Sequence, residues 1–497
     1  MVWTGKAATH EEAAKIRFEC IPYVLGTGID LGIGERWSYP HAVAVEMATP
    51  ADVGRLRIFT EGAFDFAFSS YTLPVFEDAA ATIAAWWRVL KVGGRLILYL
   101  PHADYYPAVG TPECDARFRR DYRPADVLAL MREVAPDWDC VESQERNGRT
   151  ESAILQVYRK GEPGSGQVES WRAPPPAKRA AVVRYGAYGD ALWASSVLPA
   201  LKDEGYHVTV YTQEQGAEVL RHDPHIDRMI VCAPYILPPT DMIATWQWER
   251  VKYHRWINLI HSVEGRMLPT DVDVMFHQPD SVRRALCAGN YVEMVHLFAE
   301  LPYVPRQRFY PSADEVSWAA AERARYDGPV VVLNPHGSTW PKWWPHTERC
   351  VELLAAAGVH SVVLGEWRGE PPRLASRYGH FIGKQWTIRQ AFTFAAVADC
   401  VVGEESAIVN AVAFEPVPKI VLMSHSPADS LTRDWTNTTA IAPVKMPCYP
   451  CHRIHRDQSF CVFEKRTQSA GCQAIIMPGT IADLVLERIG RCQQVAA

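Results

Sequence analysis

Seven residues, Arg184-Tyr185-Gly186-Ala187-Tyr188-Gly189-Asp190, constrain this chain most. They stand between an apolar run, Ala180 to Val183, and a helical run, Ala191 to Leu201. A strand, a glycine turn and a helix start in that order form a ligand-facing corner of an α/β domain. Glycine lets the backbone approach a ligand closely, and the first helical turn offers N–H groups that lack intrahelical partners. Asp190 stands where it can accept a proton. The plainer reading makes it an ordinary helix-capping Asp. Residues farther along the chain decide between the two.

At 497 residues the chain exceeds one ordinary domain, so two or three are expected. Hydrophobic residues make up 48% and charged residues 22%, which fits globular cores. The formal net charge of −6 supplies no global basic field, so nucleic acid and anionic membrane are disfavoured as partners. No signal-like segment opens the sequence and no apolar run is long enough to span a bilayer. The cytoplasm is the expected location, and an oligomer is compatible with the sequence.

Residues 161–178, glycine- and serine-rich and then proline-rich, read as a linker. Strands and helices alternate on both sides of it. In residues 1–160, a strand runs into Gly28-Ile29-Asp30-Leu31-Gly32-Ile33-Gly34, a pattern suited to close approach of an adenosine-bearing ligand. The next strand, Ala42 to Val45, ends at Glu46, placed to accept bonds from ribose hydroxyls. Then come Phe64-Asp65-Phe66-Ala67-Phe68-Ser69-Ser70, a helix with Trp86 and Trp87, and the glycine turn and buried strand Val92-Gly93-Gly94-Arg95-Leu96-Ile97-Leu98-Tyr99-Leu100-Pro101-His102.

This linked series resembles the class I S-adenosylmethionine-dependent methyltransferases over nearly the whole block. The resemblance implies a seven-stranded Rossmann-like domain with S-adenosylmethionine near Asp30, Gly32, Gly34, Glu46 and Asp65. Two departures stand out: a short gap between Gly34 and Glu46, and Ser69-Ser70-Tyr71-Thr72-Leu73 where relatives carry a His-containing phrase. Methyl transfer often needs only alignment and desolvation, so the missing His does not exclude activity.

The second block carries two groups of strands. Trp256 to Ile260 runs into a polar loop at a strand's carboxyl end, where His261, Glu264 and Arg266 are candidate acceptor contacts or solvated loop residues. A second sheet opens at Val330 to Asn334. It is followed by Gly337-Ser338, Lys342 and a helix, a loop able to hold a diphosphate through backbone N–H groups and one cation. Another buried strand delivers Glu404, Glu405 and Ser406 to a helix start that continues to Asn410, and a further strand ends at Ser424 and His425.

Together these motifs resemble the family 9 glycosyltransferases, the heptosyltransferase group. Arg184 to Leu201 matches the opening motif, Gly337-Ser338 with Lys342-Trp343-Trp344-Pro345 matches the donor-phosphate loop, and Glu405-Ser406-Ala407 with Asn410 matches the sugar-side helix. The implied fold is GT-B, two Rossmann-like halves at 179–326 (acceptor) and 327–497 (nucleotide-sugar). The implied reaction is inverting transfer from an ADP-heptose-like donor without a catalytic metal. Asp190 would be the general base, Lys342 and Ser338 would hold the leaving diphosphate, and Glu405, Ser406 and Asn410 would hold the donor sugar. Glu405 replaces the usual Asp, Ala407 the usual Gly and Asn410 the usual His, which leaves the donor's identity open.

Twelve Cys are present, and Cys448, Cys451, Cys461 and Cys472 cluster at 448–472 with C-x2-C-x9-C-x10-C spacing. A paired knuckle plus two further thiols suits a closed tetrahedral site, with zinc or a single iron as occupant. A similar finger in the autotransporter heptosyltransferases is structural and holds iron, a local resemblance. The expectation is therefore an α/β chain with a methyltransferase-like domain fused to a GT-B pair. The expected enzyme is a bifunctional one acting on a glycan or protein. One alternative makes the first domain a non-catalytic adaptor. Another has modified nucleic acid as acceptor, against which the acidic charge argues.

Overall fold

The computed structural model describes residues 11–32, 38–46, 56–148, 151–170, 178–233, 235–236, 245–263, 277–367, 371–374, 376–453 and 459–490. Gly34, Glu264 and Arg266 lie outside them. The described chain is α/β, as its alternating pattern predicts, and contains no helix long and apolar enough to cross a membrane.

By contact the chain divides into two units, residues 1–181 with 230–256, and residues 182–229 with 257–497. The first contains a seven-stranded sheet built from β1 (Gly28–Leu31), β2 (Ala42–Val45), β3 (Phe64–Ser70), β4 (Leu90–Pro101), β5 (Trp138–Asn147), β6 (Ser152–Lys160) and β7 (Gln167–Glu169), in the order β2-β1-β3-β4-β6-β5-β7. β1 pairs with β2 and β3, and β3 with β4, all parallel; β6 runs antiparallel to β4 and β5. From Leu96 to Pro101 every residue of β4 is buried, which is why the sequence there reads as an unbroken apolar run. The helix Ala79–Arg88 begins where the Asp78 carboxylate accepts the Ala81 N–H at 2.9 Å, and it buries Trp86 and Trp87 in the core over the sheet.

The seventh strand comes from within the expected linker. β7 pairs in parallel with β5, and the Asp137 side chain and main chain hold Gly166 and Gly161. Gln167 donates to the carbonyls of Ala135 and Arg132. Residues 161–170 thus complete the first sheet rather than span between domains. Glycine and serine, which read as slack in sequence, here supply the turns at Gly164 and Gly166, both with positive φ.

Residues 230–256 are the second departure, since the expected acceptor half ran unbroken from 179 to 326. They cluster with the first unit through aromatic and charged contacts on the helix Glu11–Cys20. Trp246 stacks on Phe18 at 6.5 Å, and Lys15 lies 5.8 Å over the Trp248 ring. Lys252 reaches Glu249 at 2.9 Å and Glu19 at 3.6 Å, and donates to the Lys15 carbonyl. Glu19 in turn pairs with Arg146 at 2.6 Å, and Arg146 with Glu151 at 3.0 Å. All of these charges have side chains at most 11% exposed, so the network is a buried one.

Two further sheets follow. A four-stranded sheet has the order β10-β9-β8-β11, with β8 Arg179–Val183, β9 His207–Thr212, β10 Arg228–Val231 and β11 Arg255–Asn258. A six-stranded sheet, all parallel, has the order β14-β13-β12-β15-β16-β17, with β12 Val330–Asn334, β13 His360–Leu364, β14 Gly379–Gly383, β15 Cys400–Glu404, β16 Lys419–Leu422 and β17 Thr438–Ile441. β12, β13, β15 and β16 are buried along their whole length, and their carboxyl ends deliver Asn334, Gly365, Glu405 and Met423 to one edge.

Candidate active site

A cavity of about 470 Å³ opens within the second unit. Ala187 to Asp190 and Trp193 line it from the β8 side, and His336 to Ser338, Lys342, Glu405 to Ile408, Asn410 and His425 from the six-stranded sheet. The predicted Asp190, Ser338, Lys342, Glu405, Ser406 and Asn410 are thus brought together. His261 is exposed with φ +57° and lies outside the cavity lining.

Asp190 is the third residue of the helix Tyr188–Ser195. One carboxylate oxygen accepts the Ala187 N–H at 2.8 Å, so the capping role is real. The other lies 2.8 Å from the Arg184 guanidinium, which also donates to the Leu259 carbonyl. Gly186 makes this possible. Its φ is +139°, and a Cβ there would lie 2.6 Å from the Asp190 carboxylate. Asp190 is still 18% exposed, into the cavity it lines. Capping and facing the cavity are not alternatives here.

Lys342 is 5% exposed, and its Nζ lies 3.4 Å from the Glu405 carbonyl. Burial pushes its pKa down, while Glu405, Glu404 and Asp190 oppose that push, so the four groups share one electrostatic field. Ser338 is exposed at the cavity's rim.

The sugar-side helix Ala407–Ala411 differs in use from its expected role. Asn410 has its amide committed: Oδ1 accepts from Trp193 Nε1 at 2.8 Å and from Gln307 Nε2 at 3.1 Å, while Nδ2 donates to the Ser406 carbonyl at 2.8 Å. It pins this helix to the helix of Asp190. Ser406 donates to Asn334 Oδ1 at 2.5 Å. The Glu405 carboxylate accepts from the N–H of Ser424 at 2.7 Å, the N–H of His425 at 3.4 Å and the Ser426 hydroxyl at 3.0 Å, and pairs with His425 Nδ1 at 2.6 Å. Burial alone raises its pKa; His425, Lys342 and these donors outweigh burial and hold it well below the usual range. Glu404, wholly buried, goes the other way: burial and the Glu405 charge push it up, and neither of its oxygens has a hydrogen-bond partner among the described residues.

In the first unit, Asp30, Gly32 and Glu46 gather at the carboxyl ends of β1 and β2. Asp30 is buried and accepts the Ser38 N–H at 2.6 Å; burial raises its pKa to about 7 against that bond. Gly32 has φ +77°, and a Cβ there would meet Thr72 Oγ1 at 2.1 Å. Glu46 is exposed. This turn and these acceptors suit an adenosine-bearing cofactor. Asp65 does not join them. The register Gly28↔Phe66 sets it level with Thr27, at the amino end of the parallel strands. There it accepts the Thr27 N–H at 2.9 Å and pairs with Lys91 at 2.9 Å, tying strands together. An acid on the second residue of a strand stands at the strand's amino end, away from the carboxyl edge where such sheets bind ligands.

Cys451 is buried and Cys448, Cys461 and Cys472 are partly so. Burial raises the Cys472 thiol, and Glu404, Cys451, Cys461 and Cys448 raise it further, so the other three thiols lie within electrostatic reach of Cys472. Their donor chemistry suits zinc or iron. Among the described residues, no three His, Cys, Asp or Glu converge as ligands about one point.

Sequence reasoning placed no role on Arg184, Trp193, Gln307 or His425. Arg184 opened the motif and His425 ended a strand, so position marked both; nothing local marked Trp193 or Gln307.

Comparison with known proteins gives two kinds of match. A family model described as a methyltransferase domain matches residues 39–98. No curated protein matches the chain. Among solved structures, ADP-heptose LPS heptosyltransferase II of E. coli is 14% identical, with 63% of this chain and 99% of that chain covered and a TM-score of 0.45. The iron-containing dodecameric glycosyltransferase TibC of enterotoxigenic E. coli is 14% identical, with 68% and 82% covered and a TM-score of 0.42. A SAM-dependent methyltransferase of Thermotoga maritima is 14% identical, with 30% and 91% covered and a TM-score of 0.23. The chain is therefore similar, over different stretches, to SAM-dependent methyltransferases and to heptosyltransferases.

Proposed function

We propose that the chain is a bifunctional cytoplasmic enzyme. Its second unit transfers a sugar, with inversion, from a nucleotide-sugar to a hydroxyl of a glycan or protein; its first unit is an S-adenosylmethionine-dependent methyltransferase. The observation that supports sugar transfer most is the meeting of Asp190 and Lys342 across one cavity, an acid on one wall and a cation on the other. Asp190 takes the acceptor's hydroxyl proton as its oxygen bonds to the anomeric carbon. The bond from that carbon to the diphosphate breaks, and Lys342 and Ser338 receive the leaving group's charge. Arg184 holds the Asp190 carboxylate in place. Asn410 is a positioning residue that keeps the two walls in register. A panel of ADP-, GDP- and UDP-sugars, read by mass spectrometry of the products, tests the reading; failure to bind or turn over any of them would overturn it.

In the first unit, Asp30, Gly32 and Glu46 would hold S-adenosylmethionine, which supplies an electrophilic methyl group when bound. Calorimetry should register its binding to the full chain. Glu46→Ala should weaken that binding about tenfold or more, the worth of a hydrogen bond to a charged acceptor. Glu46 is exposed, so the variant should fold normally. No binding by the unsubstituted chain would leave the adaptor reading in place.

Cys448, Cys451, Cys461 and Cys472 would hold a structural zinc or iron. Elemental analysis of protein purified without added metal should find about one atom per chain, and Cys448→Ser with Cys451→Ser should remove it. Metal-free protein of unchanged thermal stability would sink this assignment.

A further inference from the structure

The Glu405 carboxylate meets His425 Nδ1, the N–H groups of Ser424 and His425, and the Ser426 hydroxyl. An ionised carboxylate offers about four lone-pair sites. Four donors on one carboxylate leave it no ready capacity for a sugar hydroxyl. A direct grip of Glu405 on the donor sugar, which its place after β15 suggests, would break a bond inside the protein for each bond made to the ligand.

His425 is the member of this cluster that lines the cavity together with Glu405, Lys342 and Asp190. It sits just past β16 and is 2% exposed. Its Nδ1 is 2.6 Å from an ionised oxygen, so Nδ1 carries the proton. Burial pushes the ring's pKa down and Lys342 adds to that, with Glu405 opposing. A neutral imidazole that donates through Nδ1 accepts through Nε2.

We propose that His425, oriented by Glu405, accepts a hydrogen bond through Nε2 from a hydroxyl of the transferred sugar, and so selects the donor by its sugar. Glu405 is then a positioning residue. This rests on the reading of the cavity as a nucleotide-sugar site. It assigns the two ends of the ligand to different residues: the diphosphate to Lys342 and Ser338, the sugar to His425.

The test measures binding of ADP-, GDP- and UDP-sugars and of the matching free diphosphates to the full chain and to His425→Ala and His425→Gln. His425→Ala is expected to weaken the preferred nucleotide-sugar about tenfold or more, since a buried hydroxyl loses its acceptor. The free diphosphate should bind within about twofold of the unsubstituted chain, because its partners are untouched. His425→Gln, which keeps an acceptor at similar reach, should recover part of the loss. Equal weakening of nucleotide-sugar and diphosphate, weakening of the diphosphate alone, or no change in either would overturn the proposal. Absence of nucleotide-sugar binding by the unsubstituted chain would instead overturn the parent reading, and this one with it.

Discussion

Asp190→Asn is expected to lower the turnover number for sugar transfer by about three orders of magnitude, within the range that a lost general base commands. The substitution keeps the shape of the side chain and an oxygen able to accept the Ala187 N–H. It removes the charge that pairs with Arg184 at 2.8 Å and the site that takes the proton. Binding of the nucleoside diphosphate should be retained, because Lys342 and Ser338 are untouched, and that binding also certifies that the variant is folded. Initial rates at saturating donor and acceptor read the effect. Transfer that survives nearly unchanged would remove Asp190 from the chemistry and leave it as a cap and an ion-pair partner.

Glu19→Ala should lower the stability of the first unit by roughly 3 kcal/mol, because removing one partner strands buried charges. Arg146 would keep Glu151, and Lys252 would keep Glu249, but each loses the carboxylate that joins them. Urea denaturation followed by tryptophan fluorescence is the direct measurement, since Trp246 stacks on Phe18 close by in sequence to Glu19. A loss under about 0.5 kcal/mol, typical of an exposed ion pair, would mean the network is solvated. A fragment ending in the proline run would lack residues 230–256 and with them Lys252, Glu249 and Trp246.

Much of this was legible in the sequence. Short apolar runs bounded by glycine placed β1, β4, β8, β12 and β15, because a strand buried on both faces needs a continuous apolar string. The glycine corner at Arg184 to Asp190 and the loop at Gly337 to Lys342 were visible for a similar reason. A tight backbone turn after a strand leaves few residue types to choose from. Asp65 shows where that reasoning stops. Its neighbours marked a strand, but which end of the strand faces a ligand depends on register with β1.

The α/β class, the glycine turns and the row of polar residues that follow the buried strands can be read from the chain one stretch at a time. Those features are local, set by side-chain volume and backbone freedom within a few residues. Long-range packing sets what each polar residue can do. Asn410 meets Trp193 across 217 positions, Glu405 is saturated by a loop about 20 residues on, and residues 230–256 join a unit that begins at the other end of the chain. A hydrogen-bond acceptor has a fixed number of sites. Whether they remain for a ligand depends on which donors the fold carries to them, and that information lies in no single stretch of the chain.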